Sequence, residues 1–189
     1  MQRNNPKKSN MEPTLEQWQY PIGRYLAKEI FSAEEIQTAI GVLKAFPIKL
    51  STILSHCNEE DLNSPYRPGG WKISQLVHHI ADSHMQSYIR CKFAYLEDRP
   101  TIMNYQEQGW AEKSPEALSN DIVGSLKIIE GVHQRWTDFF SLLQPEEFNK
   151  AYVHPERTAH FPLAEVVCFY AWHAQHHLAH IVQFKQHQT

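Results

Sequence analysis

The sequence predicts an all-α fold, a four-helix bundle. Four stretches carry apolar residues at three- and four-residue spacing. Recognisable helix boundaries flank them: a capping box, prolines, a Gly pair. No segment shows strand-like alternation to rival these patterns. Four long amphipathic helices within 189 residues bury their stripes most simply against one another, in a single domain large enough for a sizeable core.

Residues 1–19 are polar and interrupted by proline, and we expect a disordered N-terminal extension there. Met11 is an alternative initiator. Residues 20–189 are expected to form the one bundle domain, opening on a turn at Tyr20-Pro-Ile-Gly23. Ser32-Ala-Glu-Glu35 is a capping box, with Ser32 at the N-cap and Glu35 three residues on. Ile36, Ile40, Leu43, Leu50 and Leu54 then recur at helical spacing. Pro47 lacks an N–H and is expected to kink or split that helix. Two prolines and Gly69-Gly70 make residues 61–70 a loop. A second helix over about 73–98 carries Ile73, Leu76, Ile80, Ile89, Phe93 and Leu96, with His79 beside the stripe and His78 pointing more outward. Residues 100–118 read as irregular. A third helix, about 119–143, buries Ile122, Leu126, Ile129, Trp136, Phe140 and Leu143 before Pro145 ends it. Residues 146–160 read as a long connection. Pro162 opens the last helix, where its missing N–H costs nothing.

Composition excludes several roles. The net charge of −3 invites no nucleic acid, and aromatic and basic residues are not interleaved. No apolar run reaches the roughly 20 residues of a membrane span, and the first ten residues lack the apolar core of a secretory signal. Cys57, Cys91 and Cys168 are widely spaced, which argues against disulfides and against a thiolate zinc site. A reducing cytoplasm is the expected compartment. No phosphate loop, serine-nucleophile motif or dinucleotide fingerprint is present.

Chemistry concentrates in histidine. Of 12 histidines, four fall within eight residues, His173, His176, His177 and His180, and His78-His79 lies on another helix. Imidazole is the commonest protein ligand for metals such as zinc, nickel, iron and copper. On a helix, residues four apart share a face, so His176/His180 and His173/His177 are each able to reach one ion, as in HExxH. Spacing does not choose between the pairs. Val166, Phe169, His173, His176 and His180 follow one face, and Leu163, Val167, Tyr170, Ala174, Leu178 and Ile181 the next. Both are apolar enough to be buried, where unpartnered imidazoles are costly. His79 is the best third ligand. Three His leave an open position, the layout of a catalytic zinc site. His56, His133, His154, His160 and His187 read as surface or hydrogen-bonding residues, and His84 as facing elsewhere. Asp82 is a candidate to orient a ligand, Trp172 to wall a pocket, and Arg67 to hold an anionic group.

Tyr20-Pro-Ile-Gly23, Pro65-Tyr-Arg-Pro-Gly-Gly-Trp71, Val77-His-His-Ile-Ala-Asp-Ser-His-Met85, Tyr88-Ile-Arg90 and Trp172-His-Ala-Gln-His-His-Leu-Ala-His180 together resemble the YfiT-like branch of the DinB superfamily. The resemblance implies a four-helix bundle holding one divalent ion, Zn2+ or Ni2+, on three histidines, assigned by motif position to His79, His176 and His180. It implies a cytoplasmic homodimer and a candidate metal-dependent hydrolase acting on a small molecule. Related bundles transfer low-molecular-weight thiols of the bacillithiol type, so an S-transferase using the same ion on a thiolate is the alternative. A non-catalytic metal-binding bundle is a third reading. No general base is assigned.

Overall fold

A computed structural model describes residues 13–156 and 159–188. Residues 1–12, most of the expected extension, lie outside the described residues. The rest of that stretch has regular structure: Thr14 caps a short helix, α1 (Leu15–Gln19), with a reciprocal bond to Gln17. Then come α2 (Ala33–Leu54), α3 (Glu59–Asn63), α4 (Ile73–Leu96), α5 (Glu107–Lys113), α6 (Val123–Leu142), strands β1 (Ala151–His154) and β2 (Ala159–Pro162), and α7 (Leu163–His187). The fold is mainly helical, as the apolar spacing predicts. No helix among the described residues is long and apolar enough to cross a membrane.

The four long helices form the bundle. Helix α2 packs on α7 and α6, and α4 packs on the same two. The first two long helices of the chain are therefore diagonal, with the last two between them. Leu43, Leu50, Ile73, Leu76, Ile80, Ile129, Trp136, Phe140, Leu163 and Ile181 fill the centre with almost no exposure.

Several expectations change in detail. Helix α2 starts on the predicted capping box at Ser32 and Glu35 but runs unbroken through Pro47. Proline removes the donor that the Leu43 carbonyl, four residues earlier, would use. That carbonyl instead accepts from His133 Nδ1 at 2.7 Å. In the second half of α4 the buried face is not the apolar one. Ile89, Phe93 and Leu96 are exposed, while Ser83, Ser87, Arg90, Cys91 and Ala94 are buried. This face turns toward a polar cavity, so apolar periodicity selects the wrong side.

The stretch read as irregular contains α5. Trp71 Nε1 donates to Glu112 Oε1 at 3.0 Å, and Gln75 Nε2 donates to the Ala111 carbonyl at 2.8 Å. These bonds pin α5 over the start of α4. The long connection contains an antiparallel pair, Ala151 opposite Pro162 through His154 opposite Ala159. Four-residue strands are too short for alternation to register. Ile102 N donates to the Val153 carbonyl and Val153 N to that of Pro100, so the segment after α4 is stitched to the same pair. Pro162 is the N-cap of α7 rather than its first residue.

Candidate metal centre

Helices α4 and α7 meet with histidine on both sides. The structure brings together one donor atom each from His79, His173 and His177, all within 4.8 Å of one another. A second group, His176, His177 and His180, meets the same limit. The expected trio of His79, His176 and His180 is split between the two groups. The reason is rotation along α7. His173 and His177 present their rings to His79, with centroids at 5.6 and 5.2 Å. His176 and His180 turn toward the N-terminal segment: His176 stacks on Trp172 at 4.6 Å, and His180 Nε2 donates to the Gln19 carbonyl at 3.3 Å.

All seven histidines of this region, His79, His84, His133, His173, His176, His177 and His180, are buried. Burial disfavours imidazolium. It pushes His79 and His133 down to about 4. Burial and then Arg67 bring His176 to about 4. Burial and then the neighbouring His176 bring His180 to about 3. His84, His173 and His177 lie well below the ordinary imidazole range, first from burial and then from neighbouring histidines. At neutral pH these rings are uncharged and each carries one N–H.

That single proton lets the tautomers be read along a chain. The Leu43 carbonyl only accepts, so His133 bears its proton on Nδ1. His133 Nε2 then accepts from His84 Nδ1 at 2.7 Å, and His84 Nε2 accepts from His173 Nδ1 at 3.0 Å. The lone pair of His173 is left on Nε2, which faces His177 Nε2 at 3.0 Å. Ligand nitrogens on a tetrahedral zinc with bonds of about 2.1 Å would lie about 3.4 Å apart. The His173–His177 pair is near that spacing, and the buried His177 Nδ1 has no partner. These residues fit a divalent ion.

A carboxylate stands beside them. Glu107, the first residue of α5, places Oε1 3.4 Å from His79 Nε2, and Trp71 covers the His79 ring at 5.0 Å. Asp82, expected to orient a ligand, has its carboxyl raised to about 6, by burial first and then by Glu116. His78 is buried too, held by Ser125 Oγ and the Ser119 carbonyl, so it does not point outward. Arg67 lies over the Tyr66 ring on the side of His176 and His180. His173, Glu107 and Trp172 line a cavity of about 670 Å³ shared with Tyr105, Arg90 and Tyr152.

Residues 43–181 match the DinB superfamily. This chain belongs to that superfamily. A relative in Bacillus cereus (strain 03BB102), named as a candidate metal-dependent hydrolase, is 40% identical over 167 residues, 88% of this chain and 95% of that one. YfiT of Bacillus subtilis (strain 168), named in the same way, is 38% identical over 88% of this chain and 93% of its own. The solved YfiT structure, described as a candidate metal-dependent hydrolase with an unusual four-helix bundle topology, superposes with a TM-score of 0.87 at 37% identity, covering 91% of this chain and 98% of that one.

Sequence reading missed Glu107, His84 and His133. The two histidines had a signal: His133 falls between Ile129 and Trp136 on the core stripe of α6, and His84 lies four residues after Ile80 on that of α4. The depressed histidines have a measurable consequence. In the unfolded chain they take up protons below about 6.5, whereas folded His133 does so only near 4. Their contribution is therefore intact above about pH 6.5 and lost as pH falls toward 4. Thermal unfolding of EDTA-treated protein should show Tm nearly level from pH 8 to 7 and dropping steeply between pH 6 and 4.5. A flat profile would contradict the buried neutral imidazoles.

Proposed function

We propose that this chain is a metal-dependent hydrolase of small molecules, with a divalent ion, zinc or nickel, held by His79, His173 and His177. The observation that carries this reading is the convergence of one donor atom from each of the three beside the Glu107 carboxylate. The trio implied by resemblance, His79, His176 and His180, is the competing set. Against it stands the division of its donor atoms between two groups, since those of His79 gather with His173 and His177 while those of His176 and His180 gather with His177.

A divalent ion bound there would lower the pKa of a coordinated water toward about 7. The chain's own residues supply the rest. His133 and His84 fix the tautomer and orientation of His173, as partners behind metal-binding imidazoles commonly do. Glu107 is placed to take the proton of the attacking water. Trp71 and Trp172 wall the site and limit the access of bulk water. Thiol transfer is the alternative for the same centre, attractive where no base is at hand. Glu107 beside His79 supplies one, and hydrolysis leads for that reason.

Elemental analysis of untagged protein tests the ligand set. About one zinc or nickel per chain is expected in the wild type and in His176→Ala, with loss in His79→Ala, His173→Ala and His177→Ala. Retention in His173→Ala with loss in His176→Ala would return the site to the competing trio. His84→Gln should fold and bind zinc about 10–100-fold more weakly in chelator competition; unchanged affinity would remove the relay from the site. Glu107→Gln should keep its metal and lower kcat/KM about 10²–10⁴-fold on any ester or amide the wild type cleaves. Full activity in that variant would exclude Glu107 as the base.

A further inference from the structure

Arg90 is the one buried arginine among the described residues, 7% exposed. It lies eleven residues after His79, about three full turns, so the two share a face of α4. Between them this face carries Ser83 and Ser87, both buried and both too small to block the space in front of it. Arg90, Ser83, Tyr105, Glu107 and His173 line the same 670 Å³ cavity.

The guanidinium is only partly satisfied. Nη2 donates to the Met103 carbonyl at 3.0 Å. Nε is buried with no acceptor. The Tyr105 ring lies 5.7 Å from Cζ. None of the described carboxylates forms an ion pair with it. A buried cation without a counter-ion is costly, and such charges in folded proteins are paired. Arginine's planar fork matches a carboxylate or phosphate oxygen pair. A phosphate dianion costs more to bring out of water into this cavity than a carboxylate monoanion does, which favours the carboxylate.

We propose that the end of the cavity away from the histidines is an anion subsite, in which Arg90 receives the carboxylate of an elongated small-molecule substrate whose scissile bond lies at His79, His173 and Glu107. The subsite rests on the reading of the histidines as the reacting end, but it is assayed separately. The Met103 carbonyl holds the guanidinium in place before ligand arrives, so the fork is preorganised. Substrate length is set by the distance along α4, roughly 16 Å between the two Cα levels at 1.5 Å per residue, shortened by the arginine side chain reaching back toward the helix N-terminus.

The probe is N-acetylglycine, with its neutral counterpart N-acetylglycinamide and inorganic phosphate as comparisons, followed through the Arg90 Nε–H resonance of the full chain. N-acetylglycine should shift that resonance saturably in both zinc-loaded and EDTA-treated protein, and the amide should not. Arg90→Gln should lose binding about tenfold or more, followed by backbone resonances around the cavity, with zinc content unchanged. Arg90→Lys, which keeps the charge without the fork, should also bind more weakly. Equal affinity for acid and amide, undiminished binding in Arg90→Gln, or tighter binding of phosphate than of carboxylate would each overturn the proposal. Failure of the metal reading would appear differently, as absent zinc with the Arg90 shift intact.

Discussion

The carbonyl of Leu43 sets the direction of the whole site. It lies on the buried face of α2, and Pro47 deprives it of its helical donor. A carbonyl stranded in the core has to find another N–H. His133 supplies it across the α2–α6 contact at 2.7 Å, and the consequence passes through two further imidazoles to His173. Because each ring holds one proton, fixing the first fixes the last. A helix imperfection in α2 thus decides which nitrogen of His173 on α7 keeps its lone pair, the one the proposed site uses.

Burial reinforces this arrangement. A single exposed imidazole would titrate near 6.5 and compete with metal through protonation. Here His84 and His133 are packed among Phe46, Trp136 and Tyr170, and desolvation keeps them neutral. The apolar packing and the proposed metal affinity are therefore linked: the same burial that fills the core keeps the histidine nitrogens unprotonated. The cavity side of α4 follows the opposite logic, with serines and an arginine where a core would have leucines.

Much of the fold was legible because helices announce themselves by period and by caps. The Ser32–Glu35 box, the stripe from Ile36 to Leu54 and the histidine spacing on α7 all carried over into the structure. The bundle's neighbour relations were not legible, since nothing in the apolar stripes says that α2 and α4 are diagonal. The site was half legible. His79 and the α7 cluster were found, but two histidine pairs four residues apart look alike on a helical wheel. Only the rotation of α7 against α4 separates them. Glu107 was hidden for another reason: it sits on a seven-residue helix held by Trp71 and Gln75, long-range bonds that leave no periodic trace. Arg90 was hidden because the apolar residues in the second half of α4, Ile89, Phe93 and Leu96, are the exposed ones.

The α1 segment also shapes how the molecule comes together. It lies across α7, with Gln19 on His180 and Gly23 on Trp172, contacts spanning 161 and 149 positions of chain. Donors on α4 wait for partners on the final helix. During synthesis His79 emerges long before His173, and the covering strap emerges earlier still. The centre is therefore the last thing the chain completes, and the two ends close on it together. A ribosome-bound chain lacking α7 has neither a closed core nor the α7 histidines, so under the proposed reading metal acquisition becomes a report that the polypeptide is finished.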